Sequence, residues 1–169
     1  MRILALDLAN NTGVAFGDCS SIPEMHTEVM GPPGASHGQR FTQCLRTTLR
    51  LIDTLKPQAV VIEAPIVSGV KGGQERSQLA MGYRASVFTA AFIRGVTPYE
   101  YPVQTIRKHF IGEGGLGREA AKARVMARCR MLGWTVETDD QSDAAAVFDY
   151  ARAKLARIQT AAPFGLFDA

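Results

Sequence analysis

The feature that most constrains the fold is the segment at residues 2–8, an apolar run that carries one carboxylate, Asp7. Odd and even positions from Ile3 to Leu8 are both apolar apart from Asp7, which predicts a strand with both faces buried. A carboxylate at such a place raises the free energy of the folded state unless it is hydrogen-bonded, paired or bound to a cation. Asp7 therefore requires partners from other parts of the chain.

The rest of the chain alternates between strand and helix patterns. The predicted strands are residues 2–8, 13–17, 28–30, 59–65 and 97–103. The predicted helices are residues 37–55, 75–94, 118–132 and 139–157, with a helical turn at 104–110 and a short extended piece at 134–136. The first two strands form a hairpin, and the other apolar strands are typical of parallel pairing. This order predicts an α/β fold in which helices flank a mixed sheet of about five strands.

The composition limits the class of protein. With 169 residues, of which 46% are hydrophobic and 21% charged, the chain is expected to form one globular domain. No apolar run is long enough to cross a bilayer, and Met1 leads directly into a strand, so we expect no membrane span, no signal peptide and a cytoplasmic location. The three cysteines are far apart and fit neither a disulfide framework nor a metal-binding spacing. The net charge of +3 permits a polyanionic partner without requiring one.

Three further acids occupy positions that such a fold can bring to Asp7. Glu63 ends the second strongly apolar strand, while Asp140 and Asp143 are three residues apart and share one face at the start of the last helix. Each acid also has a simpler role open to it. Asp140 is suited to cap the helix, and Glu63 is suited to pair with a lysine or arginine at the end of its strand.

Taken together, the four acids indicate a metal site. If the two apolar strands are neighbours, Asp7 and Glu63 meet, and the alanines after Asp143 allow the last helix to lie close to the sheet. Such a cluster repels itself unless a cation binds it, and hard oxygen ligands suit magnesium or manganese. Two such ions about 4 Å apart can activate a water molecule and stabilise the leaving oxygen of a phosphodiester.

At these positions the sequence resembles the RuvC Holliday-junction resolvases, a family with the RNase H-like fold. The resemblance extends over residues 1–155 and rests on the order and spacing of its pieces, since no single piece is specific. The pieces are Asp7 on the first strand, Val-Val-Ile-Glu-Ala-Pro around Glu63, the helix that begins Gln74-Glu75-Arg76, the segment Tyr101 to Lys108, and the run Asp140 to Ala146.

The resemblance implies a homodimeric, magnesium-dependent endonuclease, with manganese as a substitute, that nicks four-way DNA junctions and other branched DNA such as three-way junctions and flaps. By position, the implied catalytic metal ligands are Asp7, Glu63, Asp140 and Asp143, and Lys108 is the implied catalytic cation near the scissile phosphate. The implied nuclease domain spans residues 1–157, followed by a tail at 158–169. Compact relatives of this kind are familiar from bacteriophages, so a phage origin and the cytosol of a bacterial host are expected.

A basic segment supplies a surface for DNA. From Pro102 to Arg130 there are seven basic residues against two acidic ones, and such a segregated charge favours contacts with the phosphate backbone. The predicted DNA contacts are Lys71, Arg76, Arg84, Arg107, Lys108, Arg118 and Lys122. The simpler interpretation is a solvated helix face, and for Lys71, Arg76 and Arg84 the alternative is ion pairing with Glu75 and other acids. His109 is a further candidate for a phosphate contact.

The sequence departs from the family pattern at two loops. The proline and glycine that often follow the first aspartate are replaced by Leu8-Ala9-Asn10-Asn11, and the loop after Glu63 lacks the aromatic residue of many members. A strict preference for four-way junctions is therefore not implied. Alternative functions are a non-catalytic protein that binds branched nucleic acid and a nuclease for RNA–DNA hybrids. An ATPase of the sugar-kinase type requires a longer chain with two lobes.

Overall fold

The computed structural model of the chain describes residues 1–66 and 73–157. The strands are β1 (Arg2–Asp7), β2 (Asn11–Asp18), β3 (Glu24–Val29), β4 (Ala59–Glu63) and β5 (Thr97–Tyr101). The helices are α1 (His37–Leu55), α2 (Gln74–Ile93), α3 (Val103–Ile111), α4 (Arg118–Met131) and α5 (Asp139–Leu155). Lys71 and the tail at 158–169 lie outside the described residues, so the division into a domain and a tail stays a prediction.

The strands form one mixed sheet in the order β3-β2-β1-β4-β5. The hairpin partners β1 and β2 are antiparallel, as are β2 and β3, whereas β4 lies parallel to both β1 and β5. This arrangement confirms the predicted α/β fold with a mixed, five-stranded sheet. It also makes β1 the central strand, with its carboxyl end beside the end of β4.

Both faces of β1 are buried, as its apolar pattern predicts. Ile3 and Ala5 lie in the hydrophobic cluster that α3, α4 and α5 form on one face of the sheet. Leu4 and Leu6 lie in the cluster beneath α1 and α2 on the other face. The sheet is therefore sandwiched between two helical layers, and odd-numbered residues of β1 face α5.

Three local predictions differ from the structure. The helical turn expected at 104–110 is a complete helix, α3, because Ile106 and Phe110 are both buried and anchor it to the core. The extended piece at 134–136 does not join the sheet, and Trp134 instead stacks on Phe110 with ring centroids 6.0 Å apart. β3 begins four residues earlier than expected, at Glu24, since its mixed polar pattern is typical of an edge strand rather than of a buried one.

The cysteine thiols Cys19, Cys44 and Cys129 are buried and form no disulfide. Across the two described segments, none of the helices combines the length and the apolar character needed to cross a bilayer.

Candidate active site

β1 and β4 each end in a carboxylate at the same edge of the sheet. Their parallel register pairs Leu6 with Ile62, so Asp7 and Glu63 are the next residues along neighbouring strands. Neighbouring strands lie about 4.8 Å apart, and residues in register point to the same face. That face is the one covered by α5, and both acids are partly exposed where the residues before them are fully buried.

The first turn of α5 rests directly on the sheet at Gly13, which pairs with Asp7 across the hairpin. A Cβ atom at Gly13 would lie 1.9 Å from the carbonyl oxygen of Asp140. Only a residue without a side chain therefore permits this approach. The close contact brings Asp140 and Asp143 over the end of β1.

The start of α5 is capped by a residue other than the acids. The Thr138 hydroxyl accepts a hydrogen bond from the backbone N–H of Gln141 at 3.2 Å, which makes Thr138 the N-cap. Asp140 lies inside the helix, so its alternative role as the N-cap is wrong. A carboxylate in the first turn is still favoured by the helix dipole, and Asp140 is left to face the cluster.

The carboxylates act on one another electrostatically. Burial, followed by the charges of Glu63, Asp143 and Asp140, raises the pKa of Asp7 well above its usual value. Burial and the charge of Asp143 raise the pKa of Glu63 to about 7. Burial raises the pKa of Asp143 to about 6, although Arg107 and Lys122 act in the opposite direction. The pKa of Asp140 is also raised, by burial and by Asp139.

This donor set fits a hard divalent cation. In the described segments, the side chains as placed form no group of three or more acidic, imidazole or thiol groups that could hold a metal ion. The acids nevertheless lie near enough to raise the pKa of Asp7, and a bound cation would remove that repulsion. Carboxylate oxygens without nitrogen or sulfur ligands match the preferences of magnesium and manganese.

The charges of two basic side chains, Arg107 and Lys122, act on the acids of the site. The charge of Arg107, on α3, acts on both Glu63 and Asp143. Lys122, on α4, forms an ion pair with Asp139, beside Asp140 in the first turn of α5. Lys108 is exposed on α3, so it remains a predicted catalytic residue and DNA contact without a described contact to the acids.

The acids open into a cleft of about 540 Å³. Asp7 and Glu63 lie in its lining together with two of the predicted DNA-contacting residues, Arg76 of α2 and Arg118 of α4. A larger groove of about 790 Å³ lies between the end of β3 and the start of α1, but its lining contains no acid. The chemistry therefore assigns the site to the smaller cleft.

Arg84 is engaged elsewhere. Its guanidinium donates to both carboxylate oxygens of Glu100 at 2.5 and 2.9 Å and lies 4.3 Å from the centre of the Phe88 ring. The ion pair that the sequence left open as an alternative is thus the observed arrangement. Direct DNA contact by Arg84 would require this bidentate pair to break.

The unusual turn after β1 is held by its own hydrogen bonds. The buried hydroxyl of Thr12 donates to the carbonyl oxygen of Ala9 at 2.7 Å. The Asn10 amide donates to the carbonyl oxygen of Gly31 at 3.3 Å and accepts from Arg40. These contacts take the place of a proline–glycine turn and fix the backbone that follows Asp7.

Two features of the site were missed from the sequence. From the sequence, Lys108 rather than Arg107 was predicted as the catalytic cation. Arg107 directly follows Ile106, which is buried, so a helical projection of α3 centred on Ile106 would have placed Arg107 closer to the core. Asp139 was not among the predicted site residues, and its pairing with Lys122 is a contact between α4 and α5 that no local pattern predicts.

Sequence comparison identifies the family. A crossover junction endodeoxyribonuclease RuvC from Xanthobacter autotrophicus is 30% identical over 159 residues, which cover 87% of this chain and 86% of the relative. This chain belongs to the RuvC family. A second RuvC, from an Anaeromyxobacter species, is 28% identical over 152 residues, covering 87% of this chain and 78% of the relative. A search against protein-family models found no match.

Solved structures confirm the RuvC fold. Thermus thermophilus RuvC superposes with a TM-score of 0.66 at 22% identity, covering 96% of this chain and 99% of that one. The same protein in complex with a Holliday junction substrate gives a TM-score of 0.67 at 22% identity, covering 90% and 95% of the two chains. The yeast mitochondrial Holliday junction resolvase Ydc2 gives 0.63 at 11% identity, covering 89% and 77%. The predicted family and RNase H-like fold are therefore confirmed, whereas the phage origin stays a prediction.

Proposed function

We propose that this RuvC family member is a magnesium-dependent endonuclease that nicks Holliday junctions and other branched DNA. The observation that supports it most strongly is the meeting of Asp7 and Glu63 at one cleft with arginines in its wall, close enough to Asp140 and Asp143 of α5 for their charges to raise the pKa of Asp7. The relatives carry the name crossover junction endodeoxyribonuclease. One structural neighbour was solved with a Holliday junction substrate.

The proposed metal ligands are the carboxylates of Asp7, Glu63, Asp140 and Asp143. A divalent cation belongs to the chemistry of this family, and magnesium is the ion that best suits an all-oxygen site with open water positions. When bound, the metal supplies an activated water molecule and neutralises charge on the phosphate. The charges of Glu63, Asp143 and Asp140 all act on Asp7, so Asp7 would share a bound cation with these acids.

The chain's own cations bind and orient the phosphate. Arg76 and Arg118 line the cleft beside Asp7 and Glu63, so they are placed to hold the phosphates that flank the scissile bond. The Nε atom of Arg107 is buried and donates no hydrogen bond to the described residues. The half-buried Arg107 side chain, whose charge acts on Glu63 and Asp143, would stabilise the charge that develops on a phosphate oxygen during cleavage, where preorganised donors contribute most.

The basic helix α4 extends this surface, although some of its charge is neutralised within the chain. Lys122 pairs with Asp139, and Arg124 pairs with Glu113. Arg118, at the start of the helix, is exposed and adjoins the cleft. The phosphate track therefore centres on Arg118 and Arg76, while Lys108 is exposed on α3 and Lys71 lies outside the described residues.

A homodimer is expected to cut two strands of a junction, and α2 offers a face for it. Met81 and Phe92 are 44% and 86% exposed, and Ala85 is exposed between them. Their spacing of four and seven residues places them along one side of the helix. Pairing of α2 with its copy across a twofold axis would bury this apolar stripe.

The deciding experiment compares the wild type with Asp7→Asn on synthetic four-way, three-way, flap and linear duplex DNA in magnesium. We expect nicking of the branched substrates and its loss in Asp7→Asn. A matched control is Asp18→Asn, since Asp18 is an exposed acid at the opposite end of the β1–β2 hairpin.

Other outcomes assign the alternatives. Junction binding without any cleavage in magnesium or manganese would indicate a non-catalytic binding protein. Cleavage confined to the RNA strand of a hybrid would indicate the hybrid nuclease. Equal cleavage of linear duplex, or full activity in Asp7→Asn, would contradict the proposal.

A further inference from the structure

A second polar cluster lies on α5, away from the cleft. Asp149 is only 3% exposed, yet it carries a carboxylate. Its Oδ1 atom accepts hydrogen bonds from Nε and Nη2 of Arg152 at 2.9 and 2.6 Å. Its Oδ2 atom accepts one from Nε2 of His109, on α3, at 3.1 Å. Both oxygens are therefore used, and the orientation of the carboxylate is fixed.

Aromatic rings lock this cluster in place. The His109 ring meets Tyr150 edge-on at 5.3 Å, and Tyr150 meets Tyr101 edge-on at 4.8 Å. Tyr101 pairs with Glu63 in the register of β4 and β5. The guanidinium of Arg152 lies 5.2 Å from the centre of the Trp134 ring. The cluster thus connects α3, α5 and the strand end that carries Glu63.

The geometry of α3 explains what this connection does. Each residue of a helix turns by about 100°, so Arg107 and His109 lie on opposite flanks of the buried face formed by Ile106 and Phe110. One flank faces the acids, since the charge of Arg107 acts on Glu63 and Asp143. The other flank is bonded to Asp149. The apolar face attaches the helix to the core, and contacts made by the two flanks can fix the rotation of the helix about its axis.

The partners of Arg107 and His109 both lie on α5. Asp143 and Asp149 are six residues apart, which corresponds to about 9 Å along the helix. Arg107 adjoins the first acid and His109 is bonded to the second. A rotation of α3 that moved His109 away from Asp149 would carry the Arg107 guanidinium with it, since both side chains extend from one short, rigid helix.

We propose that the His109–Asp149 hydrogen bond is a positioning contact that sets the rotation of α3 and so holds Arg107 beside the catalytic acids. The proposal rests on the proposed function for the role of Arg107. A purely stabilising role explains the cluster less well, because buried ion pairs contribute little net stability compared with apolar groups of the same volume, whereas they can specify one arrangement. Ile106 and Phe110 already provide the burial.

The test measures single-turnover cleavage of a four-way junction in magnesium with saturating protein. Removing the hydrogen bond with His109→Phe is expected to slow cleavage about 10- to 100-fold, the usual effect of a misplaced group. Binding of the junction, measured in calcium, is expected to stay unchanged. His109→Gln keeps an amide donor at a similar reach and should restore most of the rate. Thr105→Ala, on the exposed side of α3, is the matched control and should cleave as the wild type does.

The background of Arg107→Ala distinguishes positioning from general stability. If His109 acts through Arg107, His109→Phe causes no further loss in Arg107→Ala. Three outcomes would each overturn the proposal. His109→Phe could slow cleavage by the same factor in both backgrounds, or it could cleave at the wild-type rate. A folded His109→Gln protein could cleave as slowly as His109→Phe.

A direct readout does not depend on cleavage. The side-chain Nε–H resonance of Arg107, assigned by its loss in Arg107→Lys, should move in the metal-free His109→Phe protein and stay in place in His109→Gln. An unmoved resonance in His109→Phe would overturn the positioning role. A wild type that does not cleave junctions would contradict the proposed function and leave this second measurement to decide the positioning role separately.

Discussion

Gly13 and Asp140 are in contact through their backbones: a Cβ atom on Gly13 would lie 1.9 Å from the Asp140 carbonyl oxygen. The sheet and the first turn of α5 therefore meet with no space for a side chain. Because Gly13 also pairs with Asp7, this contact sets the distance between the acid of β1 and those of α5.

Gly13→Ala is accordingly expected to push α5 away from the sheet. Overpacking of this kind costs about 1–3 kcal/mol of unfolding free energy, and the separation of Asp7 from Asp140 should abolish most of the cleavage. Gly17→Ala on the same strand is the milder comparison, since its Cβ would lie 3.3 Å from its nearest atom and needs a shift of only a few tenths of an ångström. Urea unfolding and junction cleavage measure the two effects, and an active Gly13→Ala protein would contradict the assigned contact.

The raised pKa values predict how stability depends on pH without metal. The pKa of Glu63 rises from 4.5 to about 7 and that of Asp143 from 3.8 to about 6. Between these values the unfolded chain releases protons that the folded protein keeps, so the free energy of unfolding contributed by these groups falls as the pH rises. Metal-free protein should therefore melt at a lower temperature near pH 8 than near pH 5, by an amount that Asp143→Asn reduces.

Magnesium should reverse this trend. A cation that binds the ionised acids stabilises the folded state in proportion to its occupancy, and deprotonation is required for binding. The rise in melting temperature on adding magnesium should thus be larger near pH 8 than near pH 5. A melting temperature that is independent of magnesium at both pH values would count against a metal site at these acids.

Arg107 and Lys108 are adjacent but should behave differently. Arg107 acts on Glu63 and Asp143, so Arg107→Ala is expected to lower the single-turnover cleavage rate about 100-fold or more, as for the loss of other charge-stabilising donors. Lys108 is exposed, so Lys108→Ala should weaken junction binding and leave the rate of bound complexes nearly unchanged. The opposite result would support the catalytic role that the sequence predicted for Lys108.

Salt dependence should separate the arginines that we propose to contact DNA, Arg76 and Arg118, from Arg84, which is paired within the chain. Arg76→Ala and Arg118→Ala should each weaken binding to any branched DNA and lower the slope of log K against log salt by about 1. Arg84→Ala should leave that slope unchanged, since Arg84 is bound to Glu100. A reduced slope for Arg84→Ala would show that the ion pair opens on DNA.

The helices and strands were largely predictable because each is specified by residues within its own segment. The apolar run of β1, the stripe of α1 and the turn residues each determine their own element, and the structure places those elements close to the expected bounds. The meeting of Asp7 with Glu63 was predicted on the condition that the two apolar strands are neighbours, and the parallel pairing of β1 with β4 meets that condition.

What could not be predicted depends on contacts between distant segments. No local pattern states that Gly13 lies under Asp140, that Arg84 reaches Glu100, or that His109 reaches Asp149. Each depends on how helices are rotated on the sheet, and a rotation of one residue position exchanges Arg107 for Lys108. The positions of single polar side chains are therefore the part of the site that only the folded structure determines.

The exposed stripe of α2 yields the last prediction. Replacing Met81 and Phe92 together by glutamate would place like charges against each other in a twofold pairing of α2, at a site that the dimer would otherwise bury. The double variant should sediment as a monomer and nick junctions on one strand without the coordinated second cut, while its melting temperature stays near that of the wild type, since both side chains are solvent-exposed in the single chain. Ile22→Glu is the matched control because Ile22 is also exposed, at 61%, but lies in the turn between β2 and β3. A wild type that sediments only as a monomer, or a dimeric Met81→Glu/Phe92→Glu protein, would contradict this interface.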